Sequence, residues 1–188
     1  MTARWLLQAA GLAIGTSSAA APAPRCALDV AALTAPRLFT AYPAAASRSH
    51  RWVAPDVRRG EAHLFRTALR RAAAGPPDFA GRWRVAWIGC GAAAVCPAFI
   101  DRTNGRVVFP KPFRVVAALS VNAGDESFDM LTYRPDSRLL LVLGAPDEDT
   151  ARTGASYYDW RDGAPSLVRF VPVSALCAGK GSGEWRTP

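Results

Sequence analysis

The chain of 188 residues contains very little lysine or histidine. Its lysines are Lys111 and Lys180, its histidines are His50 and His63, and all other basic residues are arginines. Catalysis by a serine or cysteine nucleophile needs a base beside it, most often histidine. Both histidines precede the strand-rich part of the chain, and no G-x-S-x-G nucleophile elbow occurs. The sequence therefore offers no catalytic residue for a histidine-dependent hydrolase.

The sequence also lacks an apolar run of the roughly 20 residues that a membrane-spanning helix needs. A shorter apolar run lies at 5–15, after Arg4 and before the small residues of 16–21. A basic start, a short apolar middle and a small-residue end are the three parts of a secretory signal. We therefore predict a signal peptide over residues 1–20, cut after Ala20, and a periplasmic or secreted product without a membrane span. The alternative interpretation of the run is a buried helix.

The positive charge comes almost wholly from arginine, and the formal net charge is +8. One interpretation is attraction to an acidic partner, such as an anionic envelope polymer or an acidic protein. The other is a bias of composition, because arginine, alanine, glycine and proline all have GC-rich codons. Nucleic acid fits the charge but not the predicted location, so we expect no nucleic-acid partner.

Four cysteines follow the predicted signal, and an exported chain meets conditions under which disulfides form. Four cysteines allow three pairings. Cys90 and Cys96 have five residues between them, so a bond between them would close a hairpin loop. That bond would leave Cys26 and Cys177 to join the two ends of the mature chain. The alternative is a zinc site, but C-x2-C spacings are missing and only two histidines are available. We expect two disulfides and neither a metal nor a cofactor.

Proline and glycine divide the mature chain into three parts. Residues 21–55 are rich in alanine and proline and are expected to wrap the surface or stay mobile, with a short helical piece around 28–33. Residues 56–177 are predicted to form a single β-rich domain with an N-terminal helix, followed by a flexible tail over 178–188. The predicted fold class is α+β: an antiparallel sheet of about six or seven strands with the helix packed on it.

Hydrophobic periodicity places the individual elements. Asp56 is predicted to cap a helix that ends near Ala74 and has one apolar face. The turns at 102–105 and 134–137 are typical of hairpins, because Asn-Gly and Arg-Pro-Asp-Ser favour tight reversals. The apolar face of the helix consists of Leu64, Phe65, Ala68, Leu69 and Ala72. The predicted strands are 82–87, 95–101, 106–109, 113–119 (a strand or a short helix), 128–133, 138–143, 155–160 and 166–171.

The first of these strands combines arginine with tryptophan. Trp83 and Trp87 alternate with Arg82 and Arg84, which is the period of two of a strand with one buried face. Alternation predicts that the tryptophan side belongs to the core and the arginine side faces outward. The same residues could instead present a cationic and aromatic surface to a sugar or an anionic polymer. Arg82, Trp83, Arg84 and Trp87 are therefore the candidate binding residues.

Acidic residues cluster in two predicted loops. One loop holds Asp125, Glu126 and Asp129, and the other holds residues 147–149. Paired carboxylates can hydrolyse a glycan, and clustered oxygen ligands can hold calcium. Neither loop has the ordered spacing of a calcium-binding loop, and solvated loop acids are the simpler interpretation. No residue is assigned a catalytic or metal-binding role.

Several segments of the domain resemble a group of small, exported, uncharacterised bacterial proteins. The likeness spans roughly residues 79–170, and it is loosened by Ile88 and by the extra residues 92–94. It implies export and a β-rich fold and transfers no catalytic residue. The segments that resemble the group's motifs are 79–83 (F-A-G-aromatic, here with Arg82 before Trp83), 87–91 with Cys96 (W-G-C-G), 101–107 (D-x-x-T-G-x-V, here with Asn104 in place of threonine), 134–140 (R-x-D-S-R-L-L) and a closing hairpin at 157–160.

Three functions remain open from the sequence. The first is a non-enzymatic binding or interaction module of the bacterial envelope. The second is a periplasmic inhibitor or immunity protein against an envelope-targeted toxin or hydrolase. The third is a glycan hydrolase that uses the loop carboxylates.

Overall fold

A computed structural model describes residues 28–47, 51–119 and 128–177. It confirms the β-rich α+β class, with an eight-stranded antiparallel sheet in place of the six or seven strands predicted. The helices are α1 (Val30–Leu33), α2 (Pro36–Thr40), α3 (Gly60–Leu64), α4 (Arg66–Ala72) and α5 (Val173–Cys177), with single 3₁₀ turns at Lys111–Phe113 and Thr150–Arg152. The strands are β1 (Trp83–Gly91), β2 (Ala94–Asp101), β3 (Val107–Val108), β4 (Val116–Ala117), β5 (Leu131–Thr132), β6 (Leu139–Pro146), β7 (Gly154–Arg161) and β8 (Ala164–Pro172).

The sheet is strongly curved. Its strand order is β1-β2-β4-β6-β7-β8, with β3 paired to β2 and β5 paired to β6. Although β1 and β7 are far apart in this order, Trp83 of β1 packs edge-to-face on Trp160 of β7, with ring centroids 5.2 Å apart. Both strands therefore contribute to one enclosed core, which also contains Phe79, Phe99 and Phe113.

Two further apolar clusters cover the outer faces of the curved sheet. Side chains of β6 alternate between the enclosed core and an outer cluster, because Leu140 and Val142 face inward while Leu139 and Leu141 face outward. The run predicted as a central strand is accordingly buried on both faces. On β1 and β2, the outer face is covered by α4 through Leu69, whose side chain is fully buried.

Part of the alanine- and proline-rich segment belongs to the core. Asp29 caps α1 by accepting a hydrogen bond from the Ala32 N–H at 2.9 Å, and Pro36 begins α2 at a position where proline is favoured. The two helices cover the outer face of β6 and β7 together with α5. They bury Leu28, Leu33, Leu38, Phe39 and Tyr42.

The predicted single helix from Asp56 to Ala74 is wrong in its start and its continuity. Asp56 does not cap a helix but forms an ion pair with Arg58 at 2.6 Å. Two short helices, α3 and α4, are separated at Phe65, whose backbone leaves the helical region. Leu64, the last residue of α3 and part of the predicted apolar face, is 74% exposed, while Leu69 of α4 is buried as expected.

The predicted hairpins are confirmed. Strands β1 and β2 pair antiparallel, and a disulfide joins Cys90 to Cys96 across the loop between them. Strands β7 and β8 pair around a turn at Asp162 and Gly163, both with positive φ. The segment 113–119, predicted as a strand or a short helix, contains the short strand β4, and the 3₁₀ turn at Lys111–Phe113 ends where the segment begins.

Side chains of β1 alternate between two faces as predicted, but the predicted burial of those faces fails after Val85. Ala86, expected to face outward, is buried against α4, and Trp87, expected in the core, is 39% exposed. The cause is that β1 is covered on both faces near its start, whereas its far end extends past the enclosed core. Arg84 is half-buried because it lies against α4 rather than in solvent.

Several predictions concern residues outside the described ranges. These are the signal peptide over 1–20, the pair of Cys26 with Cys177, the acids Asp125 and Glu126, and the tail over 178–188. They stay predictions. Among the described residues, no helix has the length and apolar character needed to cross a membrane.

Candidate functional site

Two grooves lie on either side of the turn between β2 and β3. The first groove has a volume of about 510 Å³, and the second about 580 Å³. Thr103 of the turn lines the first groove and Asn104 lines the second. The main side chains of the first groove are Arg82, Trp83, Arg138, Trp160, Arg161 and Asp162. Those of the second groove are Asp56, Arg58, Arg59, Asn104 and Arg106.

The turn between the grooves is built on a buried carboxylate. Asp101 accepts hydrogen bonds from the Thr103 N–H at 2.9 Å, the Thr103 hydroxyl at 2.6 Å and the Asn104 amide at 3.3 Å. It also accepts one from Arg82 Nε at 3.0 Å. Because the turn residues bind one fixed acceptor, both groove walls have a defined geometry.

The opposite wall of the first groove is the segment Ala44–Ser47. The Ser47 N–H donates to the Gly81 carbonyl at 3.2 Å, and the Ala44 N–H donates to the Asp136 carbonyl at 2.8 Å. Gly81 has a φ of +76°, and a Cβ there would lie 2.0 Å from the Ala45 carbonyl oxygen. Only glycine allows so close a passage of the two backbones.

Arg82 connects the turn to the far hairpin. Its Nη2 donates to Asp162 Oδ1 at 2.8 Å while its Nε binds Asp101. Arg82 and Arg106 also lie over the Trp83 ring, with their guanidinium carbons 5.7 and 5.4 Å from its centroid. Trp83 is itself buried, so its ring supports the arginines and does not offer a face to a ligand.

The floor of the first groove contains incompletely satisfied polar groups. Asp159 is buried and pairs with Arg161 at 2.8 Å and with Arg138 at 3.5 Å. The longer contact leaves Arg138 Nε and Asp159 Oδ1 without a hydrogen bond within the described residues, and the same holds for Trp160 Nε1. Among the described arginines of the first groove, Arg138 has the longest contact with a carboxylate, and no other hydrogen bond holds its side chain.

The second groove is also lined by arginines. Arg58 lowers the pKa of Asp56 to about 2 through a two-point hydrogen-bonded ion pair. The side chain of Arg59 forms neither a hydrogen bond nor an ion pair with a described residue. Arg106 lies on the boundary, because it lines the second groove while its guanidinium covers Trp83 of the first.

Charge is therefore concentrated along both grooves. Among the described residues, their linings contain six arginines and two aspartates, an excess of four positive charges. Two further carboxylates, Asp101 and Asp159, lie behind the surface and are engaged by these arginines. Guanidinium groups held in place by carboxylates keep their remaining N–H donors oriented toward the groove, which suits carboxylate or phosphate groups on a ligand.

The structure brings together only two of the four predicted binding residues. Arg82 and Trp83 belong to the first groove, but Arg84 forms an ion pair with Asp78 at 2.8 Å and donates to the Ala72 carbonyl of α4. Trp87 lies in a separate pocket. Sequence analysis missed Arg138, Trp160 and Arg161 as groove residues, because strand curvature rather than local spacing brings them to β1.

The described acids of the loop at 147–149 have structural roles. Asp147 accepts a hydrogen bond from the Arg114 N–H at 2.9 Å, and Asp149 caps the 3₁₀ turn at Thr150–Arg152. All three acids of this loop are exposed. In the described ranges, no group of three or more histidine, cysteine or acidic residues is arranged to hold a metal ion.

Comparison with known proteins gives no match for this chain among protein-family models, curated proteins or solved structures. A functional assignment therefore depends on the chemistry of the grooves.

Proposed function

We propose that the protein is exported and acts as a non-enzymatic binding module for an anionic polymer of the cell envelope. The observation that carries this proposal is the excess of arginine along two grooves that flank one turn. A polymer with repeated carboxylate or phosphate groups can occupy both grooves at once, whereas a small anion can occupy only one. Linked contacts of this kind raise the overall affinity without requiring a strong single contact.

Export is the part of the proposal that the sequence supports. It is tested by expressing the chain in a bacterium with a periplasm and determining the N-terminus of the product. We expect a mature chain that begins at Ala21 and is found in the periplasm or the medium. An uncleaved cytoplasmic chain would overturn this part.

Binding is tested with two polyanions, polyphosphate and polygalacturonate, and with neutral dextran as a control polymer. Titration at about 50 mM and about 300 mM salt should show polyanion binding that weakens as screening increases, and no binding of dextran. The diagnostic variant is Arg59→Gln combined with Arg138→Gln, because these two side chains have the weakest protein contacts in their grooves. Loss of two charged hydrogen-bonding groups should weaken polyanion binding at least about tenfold.

The matched control is Arg70→Gln combined with Arg71→Gln. Both arginines are exposed on α4, outside the grooves, and their replacement removes the same net charge. We expect this control to lose far less affinity than the groove variant. Equal losses would show that charge alone drives the binding, and a wild-type protein that binds neither polyanion would overturn the proposal.

A protein partner, as expected for an inhibitor or immunity protein, is the second candidate. Strand β8 ends the strand order of the sheet and exposes three large apolar side chains, those of Leu167, Val168 and Phe170. An edge strand of this kind is a common site for addition of a strand from another protein. Capture of one periplasmic protein at high salt, abolished by Leu167→Asp, would favour this candidate over the polymer.

A further inference from the structure

A third cavity lies away from the arginine grooves, beside the exposed indole of Trp87. This Trp87 pocket is lined by Trp87, Asp129, Leu131, Thr132 and Tyr133 and has a volume of about 330 Å³. At ~30 Å³ for each water molecule, it has room for about eleven waters, so a single hexose ring fits in it. Within the described part of the chain, no arginine or lysine lines it, in contrast to the two grooves.

The indole of Trp87 is held in a fixed orientation although 39% of it is exposed. Its Nε1–H donates to the Tyr133 hydroxyl at 3.1 Å. That hydroxyl interacts in turn with the Asp78 carboxylate, which accepts hydrogen bonds from the Val85 N–H at 2.9 Å and from Arg84 at 2.8 Å. Burial raises the pKa of Tyr133, so it stays a neutral hydroxyl at physiological pH. The exposed ring of Trp87 is thus held in one orientation before any ligand binds, although packing of the core does not require this. Such preorganisation lowers the cost of binding.

The polar groups beside the indole have the chemistry of a sugar site. A pyranose ring presents one apolar C–H face, which packs on an aromatic ring, and a rim of hydroxyl groups. Asp129 is exposed, its carboxylate can accept hydrogen bonds from a ligand, and it forms no ion pair with a described residue. Thr132 adds a hydroxyl that can both donate and accept. The charge of Asp129 disfavours an anionic sugar, because two like charges would be brought together.

We infer that the Trp87 pocket is a binding site for the pyranose ring of an uncharged oligosaccharide. The indole of Trp87 packs on the C–H face of the sugar, and Asp129 accepts hydrogen bonds from its hydroxyls. Tyr133 positions the indole. This inference does not depend on the polyanion proposal, because the two sites share no residue.

The test is calorimetric and NMR titration of the full mature chain with three probes: maltotetraose, cellotetraose and the tetrasaccharide of N-acetylglucosamine. We expect millimolar or tighter binding of at least one probe, with a shift of the Trp87 indole N–H resonance. Trp87→Ala should weaken that binding at least about tenfold, and Trp87→Phe, which keeps an aromatic face, should weaken it less. Asp129→Asn should also weaken it, because a charged acceptor becomes a neutral one.

The matched control is Trp52→Ala, which removes a half-buried tryptophan outside the pocket and should leave sugar binding unchanged. The groove variant with Gln at positions 59 and 138 should also bind the sugar as the wild type does, so failure of one site is distinguishable from failure of the other. Binding that is equal in wild type and Trp87→Ala would overturn the inference. So would the absence of binding of all three probes by a wild-type chain shown to be folded.

Discussion

Replacement of Asp101 tests the buried carboxylate on which the turn between the grooves depends. Asp101→Ala removes the acceptor for the Thr103 N–H, the Thr103 hydroxyl, the Asn104 amide and Arg82 Nε. The Asp101 side chain is 1% exposed, so water cannot take its place without a change in the packing. Arg82 is 38% exposed and keeps Asp162, so the cost comes mainly from turn donors that lose their charged acceptor. At roughly 1.5–2.5 kcal/mol for each of the two Thr103 hydrogen bonds, we expect a loss of about 3–5 kcal/mol.

The same arginine supplies an internal control for this magnitude. Arg82 also pairs with Asp162, at 2.8 Å, but the Asp162 side chain is 85% exposed. An exposed pair is worth about 0–1 kcal/mol, because solvent screens it and two side chains lose conformational freedom. Alanine at the positive φ of position 162 adds ~1 kcal/mol of backbone strain. Asp162→Ala should therefore cost at least ~1 kcal/mol less than Asp101→Ala, although both variants remove one carboxylate from one arginine.

The measurement is urea unfolding of wild type, Asp101→Ala and Asp162→Ala at neutral pH, with the midpoint and slope compared. We expect a shift of the midpoint for Asp101→Ala with little change in slope. For a domain of this size, a loss of 3–5 kcal/mol also corresponds to a fall of the melting temperature by about 6–20 °C. If the two variants lose equal stability, or if Asp101→Ala loses less than about 1 kcal/mol, burial does not set the strength of this interaction.

Three other predictions concern the core, the disulfide and pH. Leu69→Ala should lower the free energy of unfolding in urea by about 2–5 kcal/mol, because Leu69 is fully buried, whereas exposed Leu64 should lose less than about 0.5 kcal/mol on replacement by alanine. Similar losses would contradict the difference in burial between these leucines of α3 and α4. Replacement of Cys90 and Cys96 by serine should lower the unfolding free energy by about 2 kcal/mol by freeing a short loop, and free thiols in the unreduced protein would contradict the bond. Burial raises the pKa of Tyr157 to about 12 from 10.0. This shift contributes about 2–3 kcal/mol to the free energy of unfolding below pH 10, and the contribution is lost as the pH rises toward 12. The free energy of unfolding of the wild type, measured between pH 10 and pH 12, should fall in this way. An equally steep fall in Tyr157→Phe would show that other groups cause it.

Local sequence patterns predict the hairpins well because their determinants are local. The Asn104-Gly105 pair lies in a tight turn with Gly105 at positive φ, and the apolar run of β6 is buried on both faces. The helix before β1 was predicted less well, since periodicity does not reveal that Phe65 interrupts it. Trp87 is exposed although it shares a face with Trp83 and Val85, because its burial depends on where the enclosed core ends, which no local pattern contains.

The grooves were predictable only in part. Arg82 and Trp83 stood out because arginine and tryptophan alternate in one strand. Arg138 and Trp160 did not stand out, since their proximity to β1 arises from the curvature of the whole sheet and from the Trp83–Trp160 contact. The spacing of residues in a sequence does not reveal a contact between two residues that are far apart in both the sequence and the strand order.

The outer cluster on β6 and β7 has a consequence for how the chain folds. Leu28 and Leu176, from opposite ends of the described chain, belong to that cluster together with Leu139 and Tyr157. Neither α1 nor α5 can be buried until the central strands have formed, so closure of the core requires contacts between very distant parts of the sequence. Chains with many such contacts fold slowly, and they are susceptible to proteolysis and aggregation while they fold. For this protein, loss of either end should leave an open intermediate rather than a smaller stable domain.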